Sequence, residues 1–342
     1  QNRIGLCSFW FVVICGFIAV FGYLIAPDNS KNANQMHLEI HSKKPGFTVE
    51  MLTIPLKEER SQSFFNKLFM GSTQINTEIP IQSYNILKEE LEYIGYGDGL
   101  PKTISLAVLN NTPKKYITKK TFYFGTDKYG RDLLSRLLIG TRISFFIGFI
   151  AVFISLFIGI GIGAIAGYYG GKIDALIMWV INITWSIPTL LLVIAITLAL
   201  GKGYWQVFIA VGLTMWVEVA RVVRGQVLTT KQQQYVEAAK ALGYSNFRII
   251  FRHILPNILA PIIVISAANF AAAILIESGL SFLGIGAQPP TPSWGAIIKN
   301  HYNYIILGKP YLALIPGLAI MSLVMAFMLI GNAFRDALDV KN

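Results

Sequence analysis

Glu237-Ala238-Ala239-Lys240-Ala241-Leu242-Gly243-Tyr244-Ser245-Asn246-Phe247-Arg248-Ile249-Ile250-Phe251-Arg252-His253-Ile254-Leu255-Pro256 is polar and basic, and it lies between two long apolar segments. Residues 232–242 are built from good helix formers, which predicts a short helix. Gly243 is able to take the left-handed conformation that ends it. Ser245 is placed to cap the next helix by accepting a backbone N–H bond. That second helix is expected to run to about His253. Pro256 then suits the first turn of the following apolar helix, where its missing N–H costs nothing. The stretch 232–256 therefore reads as a helix–turn–helix elbow at the water edge of a membrane, shaped to dock into something. An ordinary amphipathic surface elbow would carry the same local signals.

Outward from the elbow the chain is apolar. Its 342 residues are 54% hydrophobic and only 14% charged, against about 25% charged in a soluble domain. Six segments are long enough to cross the hydrocarbon as helices: residues 6–26, 143–168, 175–200, 205–223, 258–276 and 311–330. The expected class is an all-α polytopic membrane protein with six transmembrane helices. The first segment is longer than a signal-peptide core and no small-residue cleavage pattern follows Ala26. The net charge of +11 is dispersed, with no basic run interleaved with stacking aromatics, which argues against nucleic acid as a partner. Cys7 and Cys15 sit eight residues apart on one predicted helix, about 12 Å, too far for a disulfide.

Residues 27–123 are a different material, polar and without a span-length apolar run. Residues 47–54 and 116–124 alternate as strands do, and residues 61–70 and 84–93 are expected to be short helices. This reads as a small α+β insertion between the first two spans. His37 and His41 lie four apart, but the acidic residue does not follow the first His and no third ligand is in sight, so no metal site is expected. Farther on, Gly159, Gly163 and Gly167 recur every four residues and give the second span a smooth face. Tyr168-Tyr169-Gly170-Gly171-Lys172 is a turn lacking the phosphate-loop spacing, so the chain is not expected to hydrolyse ATP. Pro188 should kink the third span. Glu218, near the lower end of the fourth span, has Arg221 and Arg224 within two turns as candidate ion-pair partners. Glu277 is an ionisable residue inside the fifth apolar segment. It costs a few kcal/mol unless it faces a cavity or a partner, which makes it a candidate translocation-path or gate residue along with Pro188.

Several of these strings together resemble one family. Glu237-Ala238-Ala239, Gly243 and Leu255-Pro256 are similar to the coupling loop of ABC importer permeases. His253 departs from the Ile of many members but fits the His-Ile-Leu-Pro-Asn form of the peptide branch. Gly125-Thr126-Asp127, Gly130-Arg131-Asp132, the run from Glu277 to Trp294-Gly295, Trp185-Ser186-Ile187-Pro188 and Arg221-Val222-Val223-Arg224-Gly225-Gln226 resemble the C-type permeases of dipeptide and oligopeptide importers. The resemblance spans residues 124–340 and, more weakly, the first span. It implies a type I ABC importer permease fold, with 1–26 as the first span, 27–123 as an extracytoplasmic insertion and 124–340 as the permease core. Glu237, Ala238, Ala239, Gly243, His253, Leu255 and Pro256 would couple to an ATPase. Gly125, Asp127, Gly130, Arg131, Asp132, Trp294 and Gly295 would be architectural signature residues. Implied partners are a B-type permease, two ATPase subunits that use ATP and Mg, an extracytoplasmic substrate-binding protein and the lipid bilayer; this chain itself would hold no cofactor. The same signatures occur in importers of nickel, microcin-like peptides or glycosides. An ion channel would need no elbow of this kind. A membrane enzyme would need a paired set of intramembrane catalytic residues that the spans lack. The basic residues Arg221, Arg224, Lys231, Lys240, Arg248 and Arg252 mark the elbow side as cytoplasmic, with both termini on that side of a bacterial inner membrane.

Overall fold

The computed structural model describes residues 3–55, 62–73, 76–110 and 112–338. Its helices run, in chain order, α1 (Arg3–Ile25), α2 (Phe64–Met70), α3 (Leu133–Tyr169), α4 (Gly171–Ser186), α5 (Thr189–Leu200) and α6 (Tyr204–Thr230). They continue as α7 (Gln234–Ala241), α8 (Asn246–Arg248), α9 (Leu259–Leu283), α10 (Trp294–His301) and α11 (Tyr311–Leu338). Five stretches are long and apolar enough to cross a membrane: α1, α3, α6, α11 and the continuous run Asn246–Leu283. A sixth span exists if the bent pair α4 and α5 is counted as one.

That pair departs from the single kinked span expected at 175–200. α4 and α5 meet at 90°. Proline disfavours the helical region for the residue before it, and Ile187 is extended at φ −89, ψ 127. Pro188 is itself extended at φ −53, ψ 123 and starts a new helix by accepting from Leu192 N at 3.1 Å. Two consecutive non-helical residues break the helix where one would bend it.

The chain divides into two compact units, one made of Gln1–Gly16, Ile143–Gln288 and Gly317–Asn342, the other of Phe17–Arg142 and Pro289–Pro316. In the first, the glycine face of α3 does what its spacing predicts. A Cβ on Gly159, Gly163 or Gly167 would come within 2.6, 2.5 or 2.8 Å of Val219, Ala220 or Arg224 on α6. The two backbones approach closely because nothing stands between them. In a bilayer such van der Waals packing, rather than release from water, holds helices together.

The second unit carries a five-stranded antiparallel sheet of order β4-β3-β2-β1-β5, with β1 Phe47–Ile54, β2 Thr77–Ile86, β3 Glu90–Gly95, β4 Pro101–Ser105 and β5 Ile117–Phe122. β1 has the predicted bounds. Its side chains alternate: Val49 and Met51 pack with Ile40 and Phe122, while Leu52 packs with Ile81, Leu91 and Leu109. The helix expected at 84–93 is instead the β2–β3 hairpin, in which Tyr84 faces Tyr93 and Ile86 faces Leu91. Leu, Lys and Glu favour helix only weakly; burial of Leu91 and Tyr93 two residues apart decides for strand. Of the helix expected at 61–70, Phe64–Met70 is present and Ser61 lies outside the described residues. Residues 27–123 all lie within this unit, which also takes in residues 17–26, 124–142 and Pro289–Pro316.

Candidate functional site

The elbow forms as a one-sided structure. α7 ends at Gly243, whose φ of +77 is the left-handed conformation glycine adopts without strain. Ser245 Oγ caps α8 by accepting from Arg248 N at 3.4 Å. The helix then underwinds: Ile249–Ile254 is a π-helix, closed by a bond from Leu255 N to Ile250 O. Leu255–Ile258 is a 3-10 turn with Pro256 in its first positions, and α9 follows. One face is anchored. Val236, Ala239, Ile249, Ile250 and Ile254 are buried against Ala164 and Tyr168 of α3 and Val219, Val223 and Val227 of α6, with Leu255 packed alongside. Ala239 is small because it sits in this contact. Tyr168 ties the elbow from below, donating from its hydroxyl to Asn246 Oδ1 at 2.8 Å and accepting at its carbonyl from Lys231 Nζ at 2.6 Å.

The other face is open. Glu237 and Ala238 are exposed, Glu237 in the first turn of α7 where the helix dipole favours a negative charge. Leu242, Phe247 and Phe251 are 72%, 69% and 55% exposed, and the two Phe rings lie 4.3 Å apart. His253 is half-buried and stacks on Tyr244 at 5.7 Å, with the Arg248 guanidinium 4.2 Å from the same ring. Pro256 is exposed. Sequence reading did not single out Leu242, Phe247 and Phe251; their apolar character on an otherwise basic elbow was the available signal.

The Gly-rich string before α3 is the opposite kind of structure. Asp127 is fully buried. Its Oδ1 accepts from Tyr129 N at 2.8 Å and Arg131 N at 3.0 Å, and its Oδ2 accepts from Arg131 Nε and Nη2, both at 2.7 Å. Arg131 also donates to Asn34 Oδ1 at 2.9 Å. Gly125 and Gly130 have φ of +78 and +72, and a Cβ on either would overlap backbone oxygens of Lys43 or His37. Asp132 caps α3: its Oδ2 accepts from Ser135 N at 2.9 Å and from the Ser135 hydroxyl. Burial pushes the Asp132 carboxyl up from its ordinary range, and the Ser135 bonds pull against that. Trp294, next to the buried Gly295, donates from Nε1 to Leu137 O at 3.0 Å. His301 Nδ1 lies 2.7 Å from Ile297 O and donates to it, and Nε2 accepts from Lys128 N at 3.4 Å. Burial pushes this imidazole down to about 4.

The two candidate path residues diverge. Pro188 marks the 90° break, beside a cavity of about 190 Å³. Glu277 is 1% exposed; its Oε1 accepts from Ser281 Oγ at 2.6 Å, and Ser281 Oγ accepts from Ala287 N at 3.1 Å, which ties the end of α9 to the turn after it. Neither base expected to pair with Glu218 does so among the described residues. Arg224 pairs with Asp174 of α4 at 2.5 and 2.6 Å. Arg221 donates to Asn182 Oδ1 at 2.6 Å and lies 3.5 Å over the Trp185 ring. No group of three metal-ligating side chains comes together among the described residues; His37 is buried, which holds its imidazole below the ordinary value.

Residues 159–341 match the family described as the binding-protein-dependent transport system inner membrane component. The chain belongs to this family. It is 44% identical over 219 residues to a dipeptide transport system permease protein of Alkalihalophilus pseudofirmus, covering 64% of this chain and 72% of that one. It is 42% identical over 233 residues to a glutathione transport system permease protein of Escherichia coli O157:H7, covering 68% of this chain and 75% of that one. A solved inward-facing chain of the MetNI methionine ABC transporter superposes with a TM-score of 0.48 at 20% identity, covering 59% of this chain and 95% of that one. The protein is thus the membrane permease subunit of an ABC importer and an inner-membrane component, a transport subunit rather than an enzyme.

Proposed function

We propose that this permease imports short peptides and that the elbow 232–256 is where ATPase motion enters it. Support for the elbow's role comes from its two faces: an apolar, exposed outer surface of Leu242, Phe247 and Phe251 beside Glu237, over an inner surface locked to α3 and α6. Such a surface suits a cleft on a partner. The partners in this reading are a B-type permease, two ATPases that bind ATP with Mg, and an extracytoplasmic substrate-binding protein. Both termini and the elbow face the cytoplasm, and the sheet-bearing insertion faces outward. When ATP closes the ATPase pair, the elbow is displaced. Because Val236, Ala239 and Ile249 share one packed cluster with α3, α6 and Ile262 of α9, those helices move with it. The permease shifts between two packings and needs no catalytic group. Pro188 is the fixed corner beside the path, and Glu277 holds the end of α9 rather than opening to solute in this state. The peptide reading is supported by the relatives' names, dipeptide and glutathione permeases.

Two substitutions test the elbow. Gly243→Pro removes the bond from Gly243 N to Lys240 O and forbids the φ of +77; Glu237→Lys reverses an exposed charge. Each should abolish uptake of a labelled dipeptide in proteoliposomes while membrane insertion persists. Uptake at the normal rate by either variant would remove the coupling assignment. Copurification of the tagged chain from its operon should bring a second permease and two ATPases; a chain that comes out alone would overturn the assembly.

A further inference from the structure

The break between α4 and α5 opens a cavity of about 190 Å³ whose lining includes Thr184, Trp185, Thr189, Met215, Glu218 and Ile276. Among the described residues, Glu218 is its only acidic lining residue, and no basic residue lines it. The carboxylate lies fourteen residues along α6 from Tyr204, about 21 Å of helix, within the roughly 30 Å depth of a hydrocarbon core. A carboxylate at that depth does not face acyl chains; it faces water, a partner or a passing solute. It is exposed and makes no ion pair among the described residues. The two bases nearest on its own helix are engaged elsewhere, Arg224 with Asp174 and Arg221 with Asn182 and the Trp185 ring. The chain thus spends two arginines on fixed partners and leaves one acid open in a cavity between a broken helix and its neighbours. Discontinuous helices at membrane depth are where transporters build solute sites.

We infer that this cavity is a solute-binding station on the translocation path, and that Glu218 accepts the free ammonium end of the transported molecule. A primary ammonium offers three donors to a carboxylate, a charge-assisted pairing stronger than a neutral one. The Thr184 and Thr189 side chains supply a polar wall, and Met215 and Ile276 an apolar one. The inference rests on the peptide reading for the identity of the solute but not for the charge it selects.

The test separates the two. In the assembled importer, with Cys7 and Cys15 replaced by Ser, Thr189→Cys places a thiol on the cavity wall. Its labelling rates by a trimethylammonium and by a sulfonate methanethiosulfonate are compared with Glu218 intact and with Glu218→Gln. The expected result is a cation-to-anion rate ratio about 25-fold higher with the acid present, about fivefold from each reagent in opposite directions, the size of one unscreened charge about 4 Å away in water. Dialanine should slow the labelling and N-acetyl-dialanine should not, a difference lost in Glu218→Gln. An unchanged rate ratio overturns the inference, because the acid then serves a partner subunit and not the cavity. A thiol that neither reagent reaches overturns it as well, since a transport station has to be wet. A shifted ratio without protection by dialanine keeps the cation site and removes the peptide reading.

Discussion

Two signature stretches of this chain read with similar force in sequence and fold into opposite structures. The string 125–132 turns its polar groups inward: Asp127 takes four donors, Asp132 caps a helix, and two glycines press against neighbouring carbonyls. The elbow 237–256 turns half of itself outward, with three large apolar side chains in the open and Gly243 clear of any neighbour. A motif that is internally satisfied has a structural reason to be as it is. A motif whose surface is left unpartnered has its reason in another molecule.

Substitutions should therefore split into those that unfold and those that uncouple. Gly130→Val should be the most severe, because both the positive φ and the overlap with His37 O oppose it; a loss beyond about 4 kcal/mol would appear as absent protein in membranes. Asp127→Ala strands the buried Arg131 and Arg136 guanidiniums and should cost about 3–5 kcal/mol, read as a lowered Tm in detergent. If the Tm of purified Asp127→Ala matched the parent, the string would have no claim to be architecture.

A third effect is graded by pH. His301 is held neutral, with its pKa pushed down to about 4 from 6.5. For a base depressed on folding, the neutral form belongs to the native state. Stability is then complete above pH 6.5 and falls as the pH drops toward about 4, by up to about 3 kcal/mol. His301→Gln should flatten the Tm-against-pH profile in that window; a slope that survives the substitution would place the titration elsewhere. The smallest stability effect belongs to the elbow. Phe247→Ala should change Tm by no more than a surface substitution does, within about 0.5 kcal/mol, yet lower ATP-driven uptake at least tenfold. A Phe247→Ala protein that transports normally would erase the contrast between the two stretches.

Much of this was legible from residues alone. Apolar length located the spans, alternation located β1 to the residue, and the Gly-Ser pair at 243 and 245 located the elbow's break. What stayed hidden depended on partners far away in sequence. Pro188 announces a disturbance, but whether a helix bends or breaks depends on what supports the freed backbone on either side. Residues 84–93 have helix-forming composition, and only the pairing of β3 with β2 and β4 makes them a hairpin. Glu218 has two bases within reach, and the structure gives one of them to Asp174, fifty residues back. Glu277 looked exposed to function because a charge in a span is costly; Ser281, one turn on, shows how that cost is met locally.

The underwound turn at Ile249–Ile254 has a rotational meaning. One residue of an α-helix subtends about 100°, so a helix that holds one residue too many presents everything before it at a different compass bearing. Phe247 points where it does because of that surplus. Removing a single residue from the turn would leave the composition of the elbow almost untouched and swing its outer face about a quarter of the way round, like a key cut correctly and inserted at the wrong angle.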